Sequence, residues 1–83
     1  MKKQDVYVST DTPEKCKALF AVLEKHNEPI YFHSLNLKEG ALEGGNFVDF
    51  DDEEWIRGTI GWLEEKTEIS VEELDQILSS QYE

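Results

Sequence analysis

The sequence "FVDFDDEEWIRG", from Phe47 to Gly58, places five carboxylates within six positions and sets them between aromatic residues. Acids this close along a chain repel one another, so a small protein that groups them needs a structural or functional reason. A metal site, a catalytic cluster, a binding surface and the first turn of a helix are the four possibilities. The choice among them depends on how this stretch folds.

Helix capping explains much of this acidic stretch. With Asp51 as the N-cap, Glu54 falls at the N3 position, and the D-x-x-E spacing is a close relative of the capping box. Asp52 and Glu53 then occupy the first helical turn, where the helix dipole favours a carboxylate by about 0.3–1 kcal/mol. Asp49 has no place in this scheme, because it precedes the cap and lies in a predicted strand.

The residues that follow the acids continue the helical pattern. Phe50 and Trp55 stand at the two positions of a hydrophobic staple. Several apolar residues then cover one side of a helical wheel: Trp55, Ile56, Thr59, Ile60, Trp62 and Leu63. We therefore predict a helix here, although Gly58 and Gly61 weaken it by about 1 kcal/mol each relative to Ala. A twisted hairpin across "WIRGTIGW" is the alternative.

The first thirty residues predict a strand followed by a helix. The segment "DVYVS", from Asp5 to Ser9, is typical of a short buried strand. Thr12 is a natural N-cap, and Pro13 suits the first position of a helix. This helix is expected to end near Asn27. Its apolar face repeats at helical spacing and consists of Cys16, Leu19, Phe20 and Leu23.

The remaining segments complete the predicted topology. We predict a second strand at "IYFHSLNL", from Ile30 to Leu37, then a Gly-rich loop and a short third strand at "FVDF". Ser70 and Glu73 form a capping box for the last helix. The element order is therefore β-α-β-β-α-α within one domain of residues 1–83. This order predicts an α+β fold, a three-stranded mixed sheet covered by three helices, with a parallel crossover between the first two strands.

Charge is unevenly distributed along the chain. Its 83 residues include 19 acids against 8 basic residues, for a net charge of −11, and the excess of acids lies in residues 31–83. A protein that binds a phosphate backbone or an anionic membrane directly needs clustered Lys and Arg. This chain has an excess of acids, so direct binding to nucleic acid or to a membrane is not expected. Long-range attraction would instead steer a basic protein partner toward the acidic half.

The single cysteine, Cys16, excludes an internal disulfide and a cysteine-based zinc site. Small secreted domains usually carry several disulfides, so a cytoplasmic location is expected. We expect no signal peptide, and no apolar run approaches the roughly 18 residues of a transmembrane helix.

Two metal-dependent alternatives use the acids of the stretch from Phe47 to Gly58. Asp49, Asp51 and Glu53 match the first three ligands of an EF-hand calcium loop, but Glu54 and Ile60 stand where that loop requires Gly and a bidentate Glu. The stretch "FVDFDDE" also resembles the D-x-D motif of haloacid-dehalogenase-type phosphatases. That resemblance implies a magnesium-dependent hydrolase with Asp49 as nucleophile and Asp51 as general acid/base. Such catalysis needs Lys or Arg around the phosphate, and the acids themselves have none beside them.

We therefore favour a non-enzymatic protein-interaction module with no cofactor, metal ion or catalytic residue. It is interpreted either as an inhibitor or immunity-type protein that neutralises a basic enzyme, or as a nucleic-acid mimic that fills a DNA-binding groove. Acidity that only keeps the domain soluble is the alternative. Trp62 is included among the contact residues because Trp often anchors interfaces, with a place in the core as its alternative. The predicted contact residues for a basic partner are Asp49, Asp51, Asp52, Glu53, Glu54 and Trp62.

Overall fold

A four-stranded mixed sheet organises the structure, a computed structural model that describes residues 2–58 and 65–80. Its strands are β1 (Val6–Ser9), β2 (Phe47–Asp51), β3 (Glu54–Gly58) and β4 (Thr67–Ile69). They are arranged in the order β3-β2-β1-β4. β2 pairs antiparallel with both β1 and β3, whereas β4 pairs parallel with β1.

Two α-helices and two 3₁₀ helices accompany the sheet in the described residues. The α-helices are α1 (Pro13–Lys25) and α2 (Val71–Ser80), and the 3₁₀ helices span Lys3–Asp5 and Phe32–Glu39. The predicted α+β fold with one mixed sheet and accompanying helices is confirmed. The sheet has four strands rather than three, and the parallel neighbour of the first strand is β4 rather than the predicted second strand.

The first helix follows its local sequence signals. The hydroxyl of Thr12 accepts a hydrogen bond from the backbone N–H of Lys15 at 3.2 Å, which caps the first turn. After the helix, Asn27 has a φ of 54°, a left-handed conformation that Asn adopts more readily than most residues. The predicted cap, start and end of this helix are confirmed. Its buried face contains Cys16, Leu19 and Leu23.

The segment predicted as the second strand, Ile30–Leu37, forms a 3₁₀ helix over most of its length. Ile30 makes an isolated parallel bridge with Trp55. Ser34 and Leu37 are buried, and their spacing of three is the period of a 3₁₀ helix. The hydroxyl of Ser34 accepts a hydrogen bond from the backbone N–H of Arg57 at 2.9 Å. The backbone of β3 is therefore hydrogen-bonded to a side chain at this residue. The strand prediction was wrong because this tertiary contact outweighs the aromatic and β-branched content of the segment.

The acidic stretch folds as a β-hairpin, so the helix predicted after Asp51 was wrong. β2 ends at Asp51, β3 begins at Glu54, and Asp52 and Glu53 form the turn between them with φ angles of 53° and 68°. More and less buried side chains alternate along β3, which is the period of a strand. Pairing with β2 along the whole of β3 overrides the helical spacing of the apolar residues.

The continuation of the predicted helix lies outside the described residues. This holds for residues 59–64, and therefore for Trp62. The alternative prediction, a hairpin across "WIRGTIGW", correctly placed the first residues of that segment in a strand. The turn that joins β2 to β3, however, precedes that segment.

The last helix begins at the predicted capping box. The backbone N–H of Glu73 donates to Oγ of Ser70 at 3.1 Å, and the backbone N–H of Ser70 donates to Oε1 of Glu73 at 3.3 Å. Leu74 and Leu78 are buried, and Val71 and Ile77 pack partly buried against the core. This prediction is confirmed.

One face of the sheet carries the hydrophobic core. Its buried strand residues pack with leucines of the helices and are Val6, Val8, Val48, Trp55 and Ile69. Because side chains alternate along a strand and paired residues share a face, the register places another set on the opposite face. That set comprises Tyr7, Phe47, Asp49, Asp51, Glu54, Ile56 and Glu68.

Candidate functional site

The hairpin turn concentrates four consecutive acids, Asp51–Glu54, which we call the acidic turn. Asp51 and Glu54 pair across the two strands, and Asp52 and Glu53 connect them. Both connecting residues have positive φ, as in a type I′ turn, where Asn-Gly and Asp-Gly are the favoured sequences. Asp adopts this conformation with some ease, but it costs an ordinary L-residue such as Glu53 about 1–2 kcal/mol. The turn is therefore built from an unfavourable residue.

Charge repulsion adds to the conformational cost of the acidic turn. Asp51 and Glu54 lie opposite each other, where like charges destabilise a strand pair. Asp51, Asp52 and Glu53 are exposed, and Glu54 is half-buried. None of the four forms an ion pair with a basic side chain of the described residues. Because no helix begins here, capping does not explain these acids.

Asp49, the acid that helix capping left unexplained, is buried beside a lysine. Nζ of Lys66 donates a hydrogen bond to Oδ2 of Asp49 at 2.8 Å and another to the backbone carbonyl of Phe50 at 3.0 Å. Asp49 thus joins β2 to the residue that precedes β4. The sequence gives no signal for this pair, because its members are 17 residues apart and Lys66 precedes a strand, β4, that is not a neighbour of β2 in the sheet.

The predicted contact residues therefore occupy different environments. The acidic turn presents carboxylates to solvent, whereas Asp49 is 8% exposed and ion-paired with Lys66. Trp62 lies outside the described residues. Asp49 and Asp51, the two carboxylates of the hydrolase alternative, lie on the same face of β2 two residues apart.

A second surface feature is a groove of about 510 Å³ at the carboxyl ends of the parallel strands β1 and β4. We call it the end groove. The first turns of α1 and α2 also line it, and in open α/β sheets the carboxyl ends of the strands are a common place for ligands. Its apolar lining residues are Val8, Ala18, Ile69 and Val71, and its acidic lining residues are Glu14, Glu68, Glu72 and Glu73.

One basic residue, Lys15, is among the residues that line the end groove. Its Nζ donates a hydrogen bond to Oδ1 of Asp11 at 2.8 Å. That hydrogen bond lowers the pKa of Asp11 and raises the pKa of Lys15, which the nearby Glu68 carboxylate raises further. The positive charge at the groove is therefore already paired, and the carboxylates set its potential.

A buried cation, Arg57, is a structural centre that the sequence did not indicate. Its Nη1 donates to the backbone carbonyl of Ala41 at 2.7 Å and to Oδ1 of Asn36 at 2.9 Å, and its Nε donates to the carbonyl of Gly45 at 3.2 Å. The guanidinium thus holds the loop before β2 against β3. Cys16 lies beside it in the core, with its thiol hydrogen-bonded to the Ala41 carbonyl at 3.5 Å. Burial alternates along β3, and Arg57 falls on the buried side of the strand.

Within residues 2–58 and 65–80, no three His, Cys, Asp or Glu side chains are grouped so that they could hold a metal ion. None of the helices in these ranges has the length and apolar character needed to cross a membrane.

Comparison of the chain with protein families, with curated protein sequences and with solved structures found no match. No function is therefore transferred to it from another protein.

Proposed function

We propose that this protein is a non-enzymatic interaction module that binds a basic protein partner through the acidic turn. The observation that carries this proposal is the occupancy of a two-residue hairpin turn by acids. Asp52 and Glu53 both have positive φ there, and both are exposed. Backbone strain of this kind often occurs at functional positions. A binding role accounts for acids that the local structure disfavours.

The wider charge distribution supports the same proposal. Apart from Asp49 and Asp75, the described acids of residues 31–83 form no ion pair with a described basic residue. Their charge therefore acts outward rather than within the fold. Such a surface attracts a basic partner over a distance of about 10 Å at 0.1 M salt, and association slows as the salt concentration rises.

The proposed partner is a protein with a cluster of Lys and Arg on its surface. A basic enzyme that the module inhibits fits this description, as does a DNA-binding protein whose groove the module occupies. Both would be held by complementary charge, which gives specificity and fast association more than raw affinity. The buried free thiol of Cys16 is compatible with a reducing compartment, so we propose a cytoplasmic location.

Affinity capture with charge-matched variants tests this function. The tagged protein is incubated with a lysate of its source organism at about 50 mM and about 300 mM salt, conditions that differ strongly in charge screening. The test variant is Asp51→Asn/Asp52→Asn/Glu53→Gln. The control variant, Glu24→Gln/Glu39→Gln/Glu43→Gln, removes the same charge from exposed positions outside the turn.

We expect one basic protein to be captured by the wild type at low salt and to be lost at high salt. The control variant should retain it, and the test variant should lose it while keeping the circular dichroism spectrum of the wild type. Equal capture by both variants would exclude the acidic turn as the contact surface. Absence of any captured protein would favour an acidic surface that only maintains solubility.

A further inference from the structure

The end groove combines an apolar lining with an acidic one. Val8 and Ile69 come from paired positions of β1 and β4, and Ala18 and Val71 approach from the two helices. Four carboxylates from Glu14, Glu68, Glu72 and Glu73 line the same space. A ligand that fits must therefore carry both apolar surface and positive charge.

Two helix N-termini adjoin the end groove, and N-termini ordinarily attract anions. Here one backbone N–H group at each N-terminus already has a side-chain partner. Thr12 accepts from the N–H of Lys15 in α1, and Ser70 accepts from the N–H of Glu73 in α2. Glu14 and Glu72 also place carboxylates in the first turns, where their negative charge offsets the positive ends of the helix dipoles. The groove therefore favours a cation over an anion.

The size of the end groove indicates what carries the cation. A volume of about 510 Å³ lies within the range of about 300–1,000 Å³ that is typical of pockets for drug-sized ligands. A single ammonium group would leave most of the apolar lining uncovered. A short peptide segment, with a basic side chain between apolar neighbours, would contact both kinds of lining at once.

We propose that the end groove binds a Lys- or Arg-containing apolar segment of a protein partner. Glu68 and Glu72 contact the basic side chain, and Ala18 and Val71, the apolar lining residues outside the buried core, contact its apolar neighbours. This surface is distinct from the acidic turn and does not depend on the function proposed for it. Every residue named here belongs to the described part of the chain.

Peptide titration followed by NMR tests the proposal on the whole 83-residue chain. The probes are N-acetylated, C-amidated tripeptides of sequence Val-Lys-Val and Val-Arg-Val, added to ¹⁵N-labelled protein up to about 10 mM, which suffices to detect weak binding. Val-Glu-Val and Val-Ala-Val are the matched acidic and uncharged peptides. Butylammonium chloride supplies the cation without the peptide.

We expect the basic peptides to shift the amide signals of Ser9, Ile69 and Val71 in a saturable manner. The acidic and uncharged peptides and butylammonium should give no saturable shift at these residues. Equal binding of butylammonium would show a site for small cations and overturn the peptide assignment. Absence of saturation with both basic peptides, or equal binding of the acidic peptide, would overturn the proposal as a whole.

Three variants separate groove binding from general electrostatic attraction. Glu68→Gln/Glu72→Gln changes two exposed acids of the groove and should weaken Val-Lys-Val binding about tenfold, the effect of about 1.4 kcal/mol. Ala18→Leu fills the groove without changing its charge and should weaken binding to a similar extent. Asp51→Asn/Asp52→Asn removes the same charge from the acidic turn and should leave the affinity within about twofold, a difference below about 0.5 kcal/mol.

The affinities of the three variants for Val-Lys-Val decide whether the groove proposal holds. Full affinity in Ala18→Leu, or equal losses in the two charge variants, would show nonspecific attraction and overturn the proposal. The function proposed for the acidic turn fails or succeeds separately, since it is measured by partner capture with variants outside the groove.

Discussion

Nζ of Lys66 lies 2.8 Å from Oδ2 of Asp49, and their side chains are only 19% and 12% exposed. This ion pair connects the central strand β2 with the segment that enters the edge strand β4. It gives Asp49 a structural role that neither helix capping nor an exposed acidic surface provides.

Loss of one partner of this ion pair should destabilise the fold. We expect Asp49→Ala to lower the free energy of unfolding by about 1–3 kcal/mol, because Lys66 would keep a largely buried charge without its carboxylate. Urea denaturation measures the change. The double variant Asp49→Leu/Lys66→Met should recover part of the loss, since it removes both charges. A decrease below about 0.5 kcal/mol for Asp49→Ala would show that the pair contributes little.

Relief of the backbone strain in the acidic turn should stabilise the hairpin. We expect Glu53→Gly to raise the free energy of unfolding by about 1 kcal/mol, because Gly adopts positive φ without steric cost. The control Glu53→Gln removes the same charge but keeps the strain. The midpoint of urea denaturation should rise more for Glu53→Gly than for Glu53→Gln. Equal midpoints would mean that charge repulsion, and not the backbone, dominates the cost of this turn.

The same substitution should have opposite effects at two neighbouring threonines. The hydroxyl of Thr10 is buried and has no hydrogen-bond partner among the described residues, so Thr10→Val should raise the free energy of unfolding by up to about 1 kcal/mol. The hydroxyl of Thr12 caps α1, so Thr12→Val should lower it by about 1 kcal/mol. Thermal melting of the two variants side by side tests the pair. A Thr10→Val variant less stable than the wild type would indicate a hydrogen bond to that hydroxyl.

The contact between α1 and α2 should lose strength in acid. Nε2 of His26 lies 2.6 Å from Oδ1 of Asp75, and this hydrogen bond, aided by Lys25, lowers the pKa of Asp75 below its ordinary value of 3.8. A carboxyl whose pKa is lowered by folding stabilises the folded state above its ordinary pKa. That contribution disappears as the pH falls through the lower pKa of the folded state.

Melting temperatures measured from neutral pH to below pH 3.8 test this dependence. Asp75→Ala should melt below the wild type at neutral pH, and the difference should shrink as the pH falls below 3.8. Glu24→Gln, at an exposed acid of α1, serves as the control. The difference between its melting temperature and that of the wild type should not shrink in this way as the pH falls. A difference between Asp75→Ala and the wild type that is independent of pH would assign the effect to packing rather than to ionisation.

Local signals predicted the elements whose ends depend on neighbouring residues. Thr12 and Pro13 started α1, Ser70 and Glu73 started α2, and the short apolar strand β1 followed from its composition. The signals failed where one segment satisfies two patterns. The residues after Asp51 have apolar spacing that suits a helix, yet they alternate in burial along β3.

The candidate surfaces were predictable to different degrees. The sequence showed the acidic turn as a cluster of acids. It did not show the hairpin geometry, because helix capping explained the same residues. The end groove could not be found from the sequence. Its walls come from β1, α1, β4 and α2, which the fold assembles from segments about 60 residues apart.

By itself, the sequence determined the α+β class, both α-helices with their caps, and the concentration of acids in the second half. These follow from interactions between residues a few positions apart and from composition. Only the tertiary structure decided that the acidic stretch is a hairpin and that Ile30–Leu37 is largely a 3₁₀ helix. Pairing of β3 with β2 and the Ser34–Arg57 hydrogen bond made these choices. Both depend on contacts between segments, and such contacts override local preferences when the local patterns are ambiguous.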